Sequence, residues 1–115
     1  MIHGIFDSHA HYDDARFDED RDALLSSLPG KGDCCIIDIG CDLESSRKAV
    51  ALAEKYPYVW AAVGYHPEQA ALRTDEGVAE LRQLLSHPKV VAIGEIGLDY
   101  YWPEPDHETQ KRVLI

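Results

Sequence analysis

Residues 34–64 have the sequence CCIIDIGCDLESSRKAVALAEKYPYVWAAVG, which predicts a strand, a helix and a second strand in that order. Both predicted strands are apolar on their two faces, except at Asp38, as is typical of a parallel sheet covered by helices. Between them, Asp42 is a suitable N-cap and Pro57 ends the helix. The inward face of this helix carries Ala49, Leu52, Ala53 and Tyr56. Such a buried unit indicates an α/β fold with parallel strands.

The same alternation extends along the whole chain. Strands are predicted at residues 4–8, 34–40, 58–64 and 90–96, and helices at 17–28, from 42, from 74 or 75, and from 106. A complete (β/α)8 barrel takes about 250 residues. The 115 residues of this chain are therefore expected to form about four parallel βα units, the first half of a TIM barrel.

Composition and charge are those of a globular protein. Hydrophobic residues make up 45% of the chain and charged residues 28%, and the formal net charge is −10. This acidity opposes binding to polyanions, so a phosphate-containing substrate needs local attraction, which bound cations would supply. Neither a leader nor a membrane span is evident, and the three cysteines are expected to be buried, reduced thiols. These features predict a cytoplasmic protein that does not contact membranes.

The segment Asp7-Ser8-His9-Ala10-His11 is the first candidate for chemistry. Side chains alternate along a strand, so Asp7, His9 and His11 are expected on the same side. Two imidazoles at the end of a strand favour a metal site over chance loop histidines. Asp7 is interpreted as a group that orients one of the imidazoles.

Two further candidates follow later strands. Glu95 lies between Gly94 and Gly97 in an apolar strand, where a carboxylate able to bridge two metals is favoured over a solvated one. His66 precedes Pro67, and a His-Pro step also shapes loops, so His66 is left open between a site and a scaffold role. Asp38 needs a partner that the sequence does not identify, and it is expected to face the barrel interior.

Three ordered blocks resemble the TatD family of metal-dependent deoxyribonucleases. They are Asp7-Ser8-His9-Ala10-His11-Tyr12-Asp13, Gly64-Tyr65-His66-Pro67-Glu68 and Gly94-Glu95-Ile96-Gly97-Leu98-Asp99-Tyr100. The resemblance implies that His9 and His11 hold one metal ion, that Glu95 is a catalytic carboxylate bridging a metal pair, and that His66 lies beside the substrate phosphate. It also implies two divalent cations, of Zn, Mg, Mn, Fe or Co. The family's remaining ligands and catalytic aspartate lie outside these residues.

The leading functional interpretation is a metal-dependent hydrolase that cleaves phosphodiester bonds in DNA by metal-activated water. One alternative is a metal-dependent hydrolase of a small ester, lactone or amide, since this barrel hosts many chemistries. Another is an inactive truncated half-barrel. DNA is the expected substrate, and the full-length protein is expected to be a monomer. The present chain alone is expected to be inactive and to self-associate through the two sheet edges that a closed barrel lacks.

Overall fold

A computed structural model describes residues 4–31 and 33–115. It contains four strands, β1 (Ile5–Ala10), β2 (Asp33–Ile39), β3 (Val59–Val63) and β4 (Val90–Ile93). The four α-helices are α1 (Arg21–Ser27), α2 (Leu43–Lys55), α3 (Asp75–Leu84) and α4 (His107–Leu114), with 3-10 turns at Ala15–Phe17, Pro29–Lys31 and Pro67–Leu72. The strands form one sheet in the order β1-β2-β3-β4, and every neighbouring pair is parallel. The predicted α/β class with parallel βα units is confirmed.

The hydrophobic core lies between the sheet and its helices. Strand residues such as Ile36, Val59 and Val63 pack there with Leu25 of α1 and Ala49 of α2. The opposite face of the sheet has no helix over it among the described residues. An open groove of about 520 Å³ runs along it, lined by Phe6, Cys35, Ile37, Trp60, Val91 and Ala92.

Local hydrogen bonds fix the turn from β2 into α2. The Asp42 carboxylate accepts a hydrogen bond from the Ser45 amide at 2.8 Å, and the Ser45 hydroxyl accepts one from the Asp42 amide at 2.9 Å. This reciprocal capping satisfies donors that the first helical turn leaves free. The backbone at Gly40 lies so close to Ser46 that a Cβ at position 40 would overlap it. The connection therefore has one tight geometry, which sets the position of the β2 end.

Two predicted boundaries differ from the structure. Helix α1 begins at Arg21 rather than near residue 17, because the Asp14 side chain caps a 3-10 turn at Ala15–Phe17. The Arg21 guanidinium then donates to the carbonyl oxygens of Tyr12, Asp13 and Asp14, which holds the intervening chain in a compact loop.

Strand β4 ends at Ile93 rather than at residue 96. The Gly94 amide still donates to the Val63 carbonyl at 3.0 Å, but the Glu95 amide donates to the Gly40 carbonyl of the β2 end at 2.7 Å. The chain thus leaves the β3 ladder and crosses toward β2, which brings Glu95 close to the end of β1.

The expected interior orientation of Asp38 is wrong. Asp38 pairs in register with Ala10 of β1 and Ala61 of β3, and both alanines belong to the core beneath the helices. Partners in register point to the same side of a sheet. Asp38 is fully buried on the helix side, where the two small alanine side chains leave room for its carboxyl group.

Candidate metal centre

The end of β1 presents two imidazoles to one point. His9 Nε2 and His11 Nε2 are 3.2 Å apart, and the rings meet edge to face. The pairing of β1 with β2 is irregular between Asp7 and Ala10, so regular alternation does not describe this segment. Asp7 Oδ1 accepts a hydrogen bond from the His9 backbone amide at 3.1 Å. Asp7 thus supports the backbone that carries the first imidazole rather than the ring itself.

Glu95 completes a group of three donors. Glu95 Oε2 lies 3.4 Å from His9 Nε2, and one ligand atom from each of His9, His11 and Glu95 lies within 4.8 Å of the other two. The structure therefore brings together the three residues that the sequence places at the ends of β1 and β4. Imidazole nitrogens with a carboxylate oxygen suit borderline divalent cations such as Zn, Mn, Fe and Co. This donor set fits a divalent metal ion.

A backbone carbonyl determines which ring nitrogen of His11 carries the proton. His11 Nδ1 lies 3.0 Å from the Ile39 carbonyl oxygen. A carbonyl oxygen only accepts hydrogen bonds, so Nδ1 carries the proton and Nε2 of the neutral ring keeps its lone pair. That lone pair is on the nitrogen that faces His9. Metal-binding histidines are commonly oriented by such a contact from the opposite ring nitrogen.

His66 has the opposite arrangement. Its Nδ1 accepts a hydrogen bond from the Glu68 amide at 3.1 Å, so Nε2 of the neutral ring carries the proton. That Nε2 lies 3.5 Å from Glu95 Oε1, and the His66 amide donates to the Cys41 carbonyl at 2.8 Å. His66 therefore caps the 3-10 turn Pro67–Leu72 and also directs a hydrogen-bond donor toward Glu95.

The cleft beside His11 is acidic. It has a volume of about 310 Å³, and its lining includes the carboxylates of Asp13, Asp14 and Asp42. The one cation in that lining, Arg16, forms a two-pronged pair with Asp14, and its hydrogen bonds lower the pKa of Asp14 to about 2. The cleft thus offers negative charge to a cation and little attraction to an anion.

The described cysteines near the sheet are thiols. Cys35 and Cys41 are both free, as expected from the sequence, but both are half-buried rather than buried. Burial, together with the negative charge of Glu95, raises the pKa of Cys41 to about 11, so its thiol is protonated at neutral pH. The expectation for Cys34 concerns a side chain outside the described residues.

A buried pair of carboxyl groups lies behind the imidazoles. Asp38 Oδ1 accepts a hydrogen bond from the Tyr12 amide at 2.5 Å, whereas Asp38 Oδ2 and Asp13 Oδ1 are buried without a hydrogen-bond partner among the described residues. Burial and the charge of Asp13 raise the pKa of Asp38 to about 8. The partner of Asp38 was not predictable from the sequence, although a carboxylate inside an apolar strand does indicate that a partner exists.

A family model described as "TatD related DNase" matches residues 6–115. The chain belongs to the TatD family. It is 36% identical over 110 residues to the uncharacterized metal-dependent hydrolase YabD of Bacillus subtilis, covering 96% of this chain and 43% of that protein. It is 41% identical over 97 residues to the 3'-5' ssDNA/RNA exonuclease TatD of Musicola paradisiaca, covering 84% of this chain and 37% of that protein.

Solved structures of TatD proteins have the same fold over this region. The crystal structure of YjjV, a TatD homologue from Escherichia coli, superposes with a TM-score of 0.85 at 36% identity. That of a TatD family hydrolase from Entamoeba histolytica gives 0.86 at 29% identity. The matches cover 96% and 99% of this chain but 43% and 44% of those proteins. The four βα units thus resemble the first part of a TatD barrel, and the chain spans about 40% of the length of its relatives.

Proposed function

We propose that this chain supplies part of the active site of a metal-dependent hydrolase that cleaves phosphodiester bonds in DNA. The convergence of His9, His11 and Glu95 within 4.8 Å carries the proposal. It is supported by membership in a family whose relatives include a protein named as an exonuclease for single-stranded DNA and RNA.

Each of these residues has a distinct task. His11 would bind the metal ion through Nε2, because the Ile39 carbonyl occupies its other ring nitrogen, and His9 would bind through the Nε2 that faces His11 and Glu95. Glu95 directs Oε2 toward His9, where it would bind the same ion, and Oε1 toward His66. When bound, divalent ions would lower the pKa of a water molecule and neutralise charge that develops on the phosphoryl group.

His66 would act on the substrate. Its Nε2–H is held toward Glu95 by the Glu68 amide on the other side of the ring. A neutral N–H donor at this point can donate a hydrogen bond to a non-bridging phosphate oxygen, and it has no lone pair for a metal. His66 is therefore assigned to substrate binding rather than to the metal.

A second candidate is the hydrolysis of a small ester, lactone or amide. The carboxylates of Asp13, Asp14 and Asp42 favour it, because they line the cleft beside His11 and would repel a polyanion. The same barrel architecture accommodates both chemistries, so fold alone does not separate them.

Metal binding is the first test. Titration of the chain with Co²⁺, followed by visible absorption, is expected to give a saturable spectrum with imidazole and carboxylate ligands. Glu95→Gln keeps the volume and removes the ligand charge, and it should weaken binding by more than the roughly tenfold that follows the loss of a group orienting a ligand. Glu68→Gln removes a nearby carboxylate that is not part of the cluster and should leave binding unchanged. Equal binding by all three proteins would contradict the site.

Substrate class is tested in a chimera. Residues 6–115, which match the family model, replace the corresponding segment of the Musicola paradisiaca exonuclease, to which 97 residues of this chain align. The chimera is expected to degrade end-labelled single-stranded DNA with Mg²⁺ or Mn²⁺ and to lose that activity with Glu95→Gln. Cleavage of p-nitrophenyl acetate without cleavage of DNA would favour the second candidate instead.

A further inference from the structure

We propose that Asp38 is a positioning residue for the His9–His11–Glu95 cluster, because its carboxyl group holds the backbone of the residue that follows His11. The inference rests on the proposed metal site for its functional meaning. Its structural content, that Asp38 sets the orientation of His11, is tested separately below.

The burial of Asp38 calls for a specific explanation. Its side chain is fully buried among apolar residues, between Ala10 and Ala61 of the neighbouring strands. A valine would fill this space without the cost of removing a carboxyl group from water. The polar group is therefore accounted for by the contacts that it makes and not by packing.

These contacts all lead to the loop after β1. Asp38 Oδ1 accepts from the Tyr12 amide at 2.5 Å. Asp38 Oδ2 and Asp13 Oδ1 are both buried, and no N–H or hydroxyl donor within residues 4–31 and 33–115 reaches either oxygen. The Asp13 carboxyl group acts electrostatically on that of Asp38, so the two buried groups are neighbours. Asp38 thus holds the backbone at residue 12 and lies beside the side chain at residue 13.

The neighbouring residue of β2 holds His11 itself. The Ile39 carbonyl accepts from His11 Nδ1 at 3.0 Å. Two consecutive residues of β2 therefore hold two consecutive residues of the loop, and Asp38 governs the direction in which the chain leaves His11. Without the Asp38 contact, residue 12 loses its attachment to β2, and the His11 ring loses its single orientation toward His9.

Three variants separate positioning from core stability. Asp38→Asn keeps an oxygen acceptor for the Tyr12 amide and adds a donor for Asp13, so it should preserve the arrangement. Asp38→Val has a similar volume and removes the contact with the Tyr12 amide. Ile36→Val alters the same core from the same strand face, two residues away, without touching residues 12 and 13. Asp38→Thr has the shape of valine but a shorter polar reach than aspartate, and it replaces Asp38→Val if that variant does not fold.

Two measurements are made on each variant of the whole chain. Long-range ¹H–¹⁵N spectra of histidine-labelled protein without metal report the tautomer of His11, with its signal assigned from His11→Gln. Co²⁺ titration reports the affinity of the cluster. The original chain, Asp38→Asn and Ile36→Val should show the Nδ1–H form and similar affinities. Asp38→Val should lose the single tautomer and bind Co²⁺ at least about tenfold more weakly.

The outcomes are distinguishable. A folded Asp38→Val or Asp38→Thr protein with the original tautomer and affinity overturns the inference, as does an equal loss in Ile36→Val. If the His11 tautomer changes in Asp38→Val but not in Asp38→Asn, and none of these proteins binds Co²⁺, the positioning role is supported and the proposed metal site is contradicted.

Discussion

The ring nitrogens of His11 and His66 are occupied by opposite kinds of backbone group. A carbonyl oxygen faces Nδ1 of His11, whereas an amide N–H faces Nδ1 of His66. The first contact leaves a lone pair at Nε2 and the second leaves a proton there. Residue type alone does not distinguish a metal ligand from a hydrogen-bond donor, but the backbone group that contacts Nδ1 of each histidine ring does.

This difference predicts separate effects of two equivalent substitutions. In the chimera, His11→Gln should weaken Co²⁺ binding by more than the roughly tenfold that follows the loss of a group orienting a ligand, and it should reduce hydrolysis in parallel. His66→Gln should leave Co²⁺ affinity within about twofold and reduce kcat/KM for DNA about 100-fold, as for the loss of one donor to a developing charge. Calorimetric titration and steady-state kinetics on both variants check this. A large loss of metal affinity in His66→Gln would assign His66 to the metal instead.

At the scale of single elements, the β2–α2 turn holds two residues of the candidate site by backbone hydrogen bonds. The capping box of this turn follows Gly40 and Cys41 in the chain. The Cys41 carbonyl accepts a hydrogen bond from the His66 amide, and the Gly40 carbonyl accepts one from the Glu95 amide. One turn therefore anchors two of the candidate residues through their backbones.

Asp42→Ala removes the side-chain half of that cap. It is expected to lower the free energy of unfolding by about 1 kcal/mol, because the Ser45 amide loses its acceptor. The midpoint of thermal unfolding should fall by about 4 °C. Glu44→Ala, which removes an exposed carboxylate paired with Lys48 in the same helix, should shift it by much less. Similar shifts in both variants would show that the cap contributes no more than a surface ion pair.

Sequence patterns predicted the elements well and their ends less well. Continuous apolar runs identified β2 and β3, and Asp42 identified the start of α2. The start of α1 was missed because the Asp14 side chain caps a separate 3-10 turn at Ala15–Phe17, and Arg21, the first residue of α1, binds three carbonyls of the preceding loop. The early end of β4 was missed because Glu95 bonds to β2, a contact between distant segments.

For the candidate site, the sequence predicted that His9, His11 and Glu95 lie at the same edge of the sheet, but not the crossing of Glu95 toward β2 that brings it close to the end of β1. Parallel strands deliver their carboxyl ends to one edge, whatever the side-chain details. Asp38 shows the limit of this reasoning. Its side on the sheet depends on register with Ala10 and Ala61, and its partners come from a loop whose path no local pattern encodes.

At the scale of the whole molecule, the sheet has one covered and one open face. Phe6 is 58% exposed and Val91 is 51% exposed, and both line the groove on the face without helices. Strands β1 and β4 are the edges of the sheet, so their outer backbone groups can pair with another strand. An exposed apolar groove beside open edges is typical of a surface that associates.

We therefore propose that the 115-residue chain, produced alone, is inactive on DNA and self-associates through this face. Sedimentation velocity should show species larger than a monomer, with a share that increases with protein concentration. Because the chain carries a net charge of −10, added salt should strengthen association by screening repulsion between copies.

Lysine substitutions locate the surface. Phe6→Lys and Val91→Lys should shift the chain toward monomer, since each places a charge in the groove at little cost to the core. Leu72→Lys is the matched control, because Leu72 is 57% exposed but lies in the turn Pro67–Leu72, away from the sheet. Each of the two groove variants changes the net charge by the same amount as the control. A general effect of charge would therefore change the share of monomer equally in all three variants. A chain that sediments as a monomer at every concentration, and hydrolyses DNA as fast as the chimera, would show that the open face needs no cover for folding or activity.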